Sequence, residues 1–206
     1  MNWKNQLETF ENNKQWKQAV DFMEEIIRNN PSDVEAYVRG MYLLWDILLE
    51  QGCEPHEQDY AAQGLDVDYM WNLLKRYYIK ASRIFAENAE YLFFIGKFSN
   101  VAEWYWGLKE TDPATAMQKK AMELEPENIL YEWSYKHSIT PRGESTSDNA
   151  KRVKVLVEKM VKHDRSKIEW LKTKGMPGKY IIRTINARYK ELGEKTSENP
   201  VVQPAP

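Results

Sequence analysis

Hydrophobic residues recur at intervals of three and four along most of the chain, which is the spacing of one face of an α-helix. Strict alternation and β-branched runs are scarce, so no strand is predicted. The pattern predicts helices near 2–12, 14–29, 33–51, 67–86, 89–97, 100–109, 113–125, 127–138, 149–173 and 178–192. We therefore expect an all-α fold.

Several polar residues stand where a helix should begin. Asp33, Asn88 and Asn100 each precede a hydrophobic run and can cap it, because their side chains accept a hydrogen bond from a free backbone N–H. Asp112 and Pro126 bracket another helix as its N-cap and its terminator. These signals place the helix starts independently of the hydrophobic spacing.

The first two predicted helices form a hairpin with one exposed apolar face. Trp3, Leu7 and Phe10 lie on one face of the first helix. The second helix carries a small residue, two large ones and a terminating proline, namely Ala19, Met23, Ile26 and Pro31. Such a hairpin cannot bury its own apolar face, so it needs neighbours.

This spacing resembles the tetratricopeptide repeat, a 34-residue helix–turn–helix unit. The residues named above fall on its marker positions, and the next unit follows with Tyr37, Gly40, Met41 and Leu44. Further echoes are degenerate, namely Ala81 with Phe85, and Ala114 with Gln118, Ala121 and Pro126. The resemblance implies a TPR-like α-solenoid of stacked helical hairpins, closed by two C-terminal capping helices.

In proteins of this kind, the first helix of each unit lines a concave face that binds a partner. The resemblance therefore implies partner-binding residues at Lys4, Glu8, Glu35, Val38, Arg39, Tyr42, Trp45 and Asp46. Tyr42 and Trp45, flanked by charges, have the composition of an interface hot spot. The alternative is that both rings pack against the helix that follows the polar loop at 51–66.

Charge divides the chain into two parts. Residues 1–150 contain 15 Lys+Arg and 25 Asp+Glu, whereas residues 151–206 contain 14 Lys+Arg and 6 Asp+Glu. The sign changes at a Ser/Thr/Gly/Pro-rich segment. We expect a repeat body at 1–138, a joint at 139–148, a basic helical pair at 149–192 packed on the body, and a disordered tail at 193–206.

The basic pair has two possible roles. Apolar stripes on both helices favour terminal caps whose basic faces meet solvent or the acidic body. The alternative is a nucleic-acid-associated protein that uses these helices. A sequence pI near 6.0 and the absence of a known binding motif make nucleic acid unlikely as the partner.

Aromatic residues are dense in the middle of the chain, where "EWYWG" is the sharpest case. Trp104 and Trp106 would be about 200° apart on a helix. We therefore expect one of Trp104, Tyr105 and Trp106 to be exposed or covered by a partner, unless neighbouring helices cover two sides.

Residues for chemistry are sparse. The three histidines are far apart, and no phosphate loop, dinucleotide fingerprint or hydrolase motif occurs. Cys53 and His56, with Glu54 and Glu57, could be drawn as metal ligands, but they stand in an acidic loop without a second ligand pair. We expect no catalytic residue, no metal and no cofactor.

The leading hypothesis is a non-enzymatic, cytoplasmic interaction module that binds one dedicated protein partner. One cysteine, no signal-peptide pattern and no long apolar window lead to that location. An immunity protein for a basic toxin domain, or a secretion chaperone with its client, would suit an acidic helical body. No membrane partner is expected.

Overall fold

The computed structural model describes residues 2–51, 60–109, 112–141 and 143–197, with side chains as far as Glu191. All regular structure in these ranges is helical, which confirms the all-α prediction. The helices are α1 Trp3–Asn12, α2 Trp16–Asn29, α3 Val34–Gln51, α4 Val67–Ile84, α5 Ala89–Ser99, α6 Asp112–Leu124, α7 Ile129–Ser138, α8 Asp148–Glu158, α9 Ser166–Lys172 and α10 Gly175–Ser197. A 3₁₀ turn spans Glu103–Trp106, and a π turn spans Lys159–His163.

Asx caps set several of these starts. The Asp33 carboxylate accepts from the backbone N–H groups of Glu35 and Ala36, at 2.9 and 3.2 Å. The Asn88 side chain accepts from the N–H of Tyr91 at 2.9 Å, as the sequence predicted. Asn2, Asp66, Asn128 and Ser147 also cap their helices.

The predicted helix at 100–109 is wrong. Helix α5 runs on to Ser99, and only the short 3₁₀ turn at Glu103–Trp106 follows it. Ala102 before that turn and Gly107 after it both have left-handed backbones, with φ of 57° and 76°. A left-handed residue cannot continue an α-helix, so the turn is confined between the two.

Consecutive helices pack as pairs. Helix α1 contacts α2, α3 contacts α4, α5 contacts α6 and α7 contacts α8, while α2–α3 and α6–α7 contacts link neighbouring pairs. Small residues allow the closest approaches. Ala19 is fully buried in α2, and a Cβ added to Gly96 of α5 would lie 2.8 Å from the carbonyl oxygen of Ala114 on α6.

The basic C-terminal part differs in detail from the two predicted helices. The helix expected at 149–173 breaks at Asp164, where an extended backbone with φ of −131° follows the π turn. Helix α10 begins at Gly175 and continues to Ser197, beyond the end expected at residue 192; the rest of the expected tail lies outside the described residues. It packs on α9, α8 and α3, so this part of the chain lies against the body.

The central aromatic residues are mostly core. The α5 rings Tyr91, Phe93, Phe94 and Phe98 are fully buried. In the 3₁₀ turn Trp106 is buried while Trp104 is 57% exposed, so one ring of this cluster is exposed, as expected. Within the described ranges, none of the helices combines the length and apolarity that crossing a bilayer would require.

Candidate functional site

Four of the eight predicted binding residues form an ion-pair network centred on the buried Arg39 of α3, namely Lys4, Glu8, Glu35 and Arg39 itself. Its guanidinium contacts the Glu35 carboxylate at 2.9 Å and the Glu8 carboxylate at 3.3 Å. It also donates to the backbone carbonyl of Thr173, between α9 and α10, at 2.9 Å. The side chain is only 2% exposed, so the planar guanidinium ties α1, α3 and the start of α10 together.

Gly175 makes this approach possible. It has a left-handed backbone, with φ of +65°, and a Cβ added to it would lie 2.6 Å from Nη1 of Arg39. Any larger residue would therefore be strained and would also displace the guanidinium. The start of α10 is thus shaped to fit Arg39.

Lys174 extends the network towards α5. Its Nζ lies 2.7 Å from the Glu90 carboxylate and 3.5 Å from that of Glu35. Burial disfavours the charged form of Glu35, but the hydrogen bond from Lys4 and the charges of Lys174 and Arg39 outweigh burial and lower the pKa of Glu35. The Glu35 carboxylate is therefore a charged anchor for the segment that leads into α10.

Next to this network, aromatic rings from three helices meet. Tyr180 of α10 packs edge-on against Trp45 of α3, with centroids 5.4 Å apart, and contacts Tyr42 at 6.0 Å. Phe98 of α5 stacks on Trp45 at 5.4 Å and meets Tyr180 at 5.7 Å. The indole N–H of Trp45 donates to the carbonyl of Val101 at 3.1 Å, which satisfies its polar atom.

Carboxylates border the aromatic cluster. Burial raises the pKa of Glu11 to about 7, although the charge of Arg39 opposes this. Burial, together with the nearby Glu50 charge, raises the pKa of Asp46 to about 6. The positive charges of Lys179 and Arg183 on α10 partly oppose these increases, at Glu11 and Asp46 respectively, so they lie near this acidic border.

These residues form the surface on which α10 lies, which we call the α10-binding face. It consists of Glu11, Tyr42, Trp45, Asp46 and Phe98. Its centre is aromatic and its border is acidic, while α10 presents an aromatic ring between two basic side chains. The two surfaces are complementary in the way that an amphipathic helix is complementary to the surface that binds it.

The structure brings all eight sequence-predicted residues together on α1 and α3. Val38, Arg39, Tyr42 and Trp45 are at most 2% exposed, whereas Lys4, Glu8, Glu35 and Asp46 are partly exposed. The rings of Tyr42 and Trp45 contact Phe98 of α5 and Tyr180 of α10 in the same chain. Their role in binding another protein remains a prediction, and it requires α10 to move aside.

Sequence reasoning missed the residues that complete the site from distant segments, namely Glu90, Phe98, Lys174 and Tyr180. The sequence did contain one indication of this contact. Met176 and Tyr180 are four residues apart, on one face of a helix that also carries basic residues. The opposite charges of the two parts of the chain pointed to the same contact.

The described part of the chain contains no group of three or more His, Cys, Asp or Glu side chains that could hold an ion. The Cys53, Glu54, His56 and Glu57 group considered from the sequence lies outside the described residues. The arrangement of rings and ion pairs is suited to holding a helix.

No family model matches the chain, and neither a curated protein nor a solved structure is found to be similar to it. A function must therefore be inferred from the contacts of the α10-binding face.

Proposed function

We propose that the protein is a non-enzymatic interaction module of TPR-like stacked helical hairpins, which binds a basic helical segment of one protein partner on its α10-binding face. The observation that carries this proposal is the seating of α10, with Tyr180 against Trp45 and Phe98. In this proposal α10 occupies the face until a partner helix of the same character replaces it.

The pairing of helices supports the architectural part of the proposal. Each of the first four pairs joins two helices that are adjacent in sequence, and the tight contacts at Gly40 and Gly96 occur where paired or neighbouring helices meet. Stacked pairs leave the first helices of successive units side by side, as α3 and α5 are here. A face shared by α3 and α5 is where such proteins bind a guest.

Charge supports the partner's chemistry. Asp46 at the border of the face, with a pKa of about 6, is mostly charged at pH 7 and would attract a positively charged helix and speed its association. Glu11, with a pKa of about 7, would add to this attraction as the pH rises. Aromatic side chains at the centre would provide most of the affinity, because they bury large areas at a low entropic cost. A basic toxin domain, held by an immunity protein, or a secreted client, held by a chaperone, would present such a helix.

A direct test uses the chain's own helix as the probe. The receptor is the full chain carrying Tyr180→Ala, which weakens the seating of α10, and the ligand is a fluorescent peptide of residues 175–191. The matched control peptide carries Tyr180→Ala and Arg183→Glu. We expect the first peptide to bind the receptor at least about tenfold more tightly than the control and more tightly than it binds the wild-type chain. Equal binding of the two peptides would overturn the proposal.

The alternative is a nucleic-acid-associated protein that uses the basic helices α8–α10. Several of their cations are already paired: Arg152 meets Glu132 at 2.6 Å, and Lys172 meets Glu169 at 2.9 Å. Such pairing reduces the charge available to phosphates. Binding of generic RNA that falls steeply with added salt, and is lost on changing Lys151 and Lys159, would favour this alternative.

A further inference from the structure

A cavity, away from the α10-binding face, opens between the C-terminal end of α7 and the middle of α10. Its volume is about 430 Å³, within the range that holds small organic ligands. The polar residues that line it are His137, Thr140, Thr184, Arg188 and Glu191. Neither the interaction hypothesis nor any sequence motif accounts for this group.

A buried lysine contacts one of the residues that line the cavity. Lys97 of α5 is 5% exposed, and its Nζ lies 3.0 Å from Nδ1 of His137 and 4.7 Å from the centre of the Trp133 ring. No carboxylate of the described residues lies within ion-pair distance of this Nζ. Burial lowers the pKa of Lys97 to about 7, because a buried ammonium group without a counter-ion is unfavourable.

The contact with Lys97 determines which nitrogen of His137 carries the proton. Burial, and the charges of Lys97 and Arg188, lower the pKa of His137 to about 3, so the imidazole is neutral near pH 7. When Lys97 is charged, its ammonium group can only donate, so Nδ1 accepts and Nε2 carries the hydrogen. His137, which lines the cavity, thus carries an N–H donor on Nε2 while Lys97 is charged.

Arg188 supplies a second free donor. Its Nη1 donates to Glu191 at 2.8 Å and its Nη2 to the backbone carbonyl of Glu144 at 3.3 Å. Its Nε is buried and has no hydrogen-bond partner. Buried N–H groups are rarely left unpaired. Arg188 lines the cavity, so a small shift of its side chain would offer this unused donor to a ligand there.

We propose that this cavity binds a small-molecule oxyanion, a carboxylate or a phosphate group, through N–H donors of His137 and Arg188, with Lys97 supplying positive charge from behind. Among the described residues, Glu191 on α10 and Glu144 in the loop before α8 also carry charge near it. The Glu191 side chain is 58% exposed and can turn towards solvent when an anion enters.

Titration calorimetry of the full chain tests this site, with acetate and inorganic phosphate as probes at constant ionic strength. Acetate keeps one charge between pH 6 and pH 8, so any change in its affinity reports on the protein. Because the bound anion favours charged Lys97, we expect acetate to bind about tenfold more tightly at pH 6 than at pH 8. Binding of acetate alone would assign a carboxylate ligand, and binding of phosphate alone a phosphate ester.

Variants assign the effect to residues. Lys97→Met should weaken binding and remove its pH dependence, whereas Arg188→Gln should weaken binding and leave the pH dependence in place. Lys119→Met, at an exposed position on α6, is the matched control and should change neither. If Lys97→Met does not fold, the affinity of Arg188→Gln and the pH dependence of acetate binding to the wild-type chain still test the proposal. Failure of both anions to bind the wild-type chain, or an unchanged affinity in Arg188→Gln, would overturn the proposal.

Discussion

The ring of Tyr180 meets the indole of Trp45 edge-on, at an interplanar angle of 88°. The two residues are far apart in sequence, on α10 and α3, and Phe98 of α5 completes the contact. An edge-to-face pair adds to the free energy gained by burying area. This contact joins the basic end of the chain to its acidic body, and it occupies the surface predicted to bind a partner.

Removing the Tyr180 ring should therefore destabilise the whole chain. We expect Tyr180→Ala to lower the free energy of unfolding by about 1–3 kcal/mol, less than for a fully buried ring because Tyr180 is partly exposed. Urea denaturation followed by tryptophan fluorescence measures this change. Tyr180→Phe keeps the ring and is the control, expected within about 0.5 kcal/mol of the wild type. Equal stabilities of the alanine and wild-type proteins would show that α10 contributes little here.

Arg39 should not tolerate replacement by lysine. A single ammonium group cannot contact Glu8, Glu35 and the Thr173 carbonyl at once, so Arg39→Lys would leave a buried acceptor unpaired. We expect a loss of about 1–3 kcal/mol in the free energy of unfolding by chemical denaturation. The control is Arg76→Lys, because Arg76 is exposed and meets Glu24 only at 4.0 Å. A similar small effect of both substitutions would contradict the anchoring role of Arg39.

The helix pattern and the caps at Asp33 and Asn88 were predictable because both are local properties. The N-cap predicted at Asn100 is wrong, since Asn100 is the C-cap of α5. Helix α2 begins at Trp16, two residues later than predicted, because Lys14 has a left-handed backbone with φ of 55°. The 3₁₀ turn and the break at Asp164 were not predicted, because they are not determined by the local sequence. Nothing in the hydrophobic spacing marks a left-handed Ala102 or an extended Asp164, whose backbones depend on distant packing.

The candidate site was only half predictable. The sequence places Arg39, Tyr42 and Trp45 on neighbouring turns of one helix, which follows from the 3.6-residue period. It cannot show that Tyr180 covers them, since that contact depends on how two chain segments, more than a hundred residues apart, come together. The opposite charges of the two parts of the chain indicated that they attract each other. They did not show which residues of α10 meet which residues of α3.

The raised pKa of Glu11 predicts a specific pH dependence of stability. Between its unfolded value, near 4.5, and about 7, Glu11 binds a proton in the folded state and not in the unfolded state. The free energy of unfolding therefore falls as the pH rises through this range. Glu11→Gln removes this titration. The free energy of unfolding of the variant, measured relative to that of the wild type, should therefore increase by about 2 kcal/mol between pH 5 and pH 8.

Comparing the two proteins isolates this effect from other titrations. The lowered pKa of His137 makes stability rise with pH between about 3 and 6.5, but it does so in both proteins and cancels in the difference. Glu25→Gln, at an exposed position on α2, is the matched control. Parallel curves for Glu11→Gln and the wild type, from urea denaturation across the pH series, would contradict burial as the cause.

Two helical glycines should respond in opposite ways to the same substitution. At a helical position with space for an added methyl group, Gly→Ala raises the free energy of unfolding by up to about 1 kcal/mol, because alanine loses less backbone entropy on folding. At Gly96 the new Cβ would lie 2.8 Å from the Ala114 carbonyl oxygen and 3.0 Å from Cβ of Met117, so α6 would have to shift. We expect Gly96→Ala to destabilise by about 1–3 kcal/mol.

At Gly40 the short contact is to the end of a side chain and not to the backbone. The new Cβ would lie 2.8 Å from Cδ1 of Ile27, the far end of a side chain that can change rotamer, and the next contacts are at 3.6 Å or more. The helix-propensity gain should offset this cost, so Gly40→Ala should remain within about 1 kcal/mol of the wild type. Thermal and urea unfolding of both variants measure the contrast. A Gly96→Ala protein as stable as Gly40→Ala would show that α5 and α6 are not held together through backbone contact at this position.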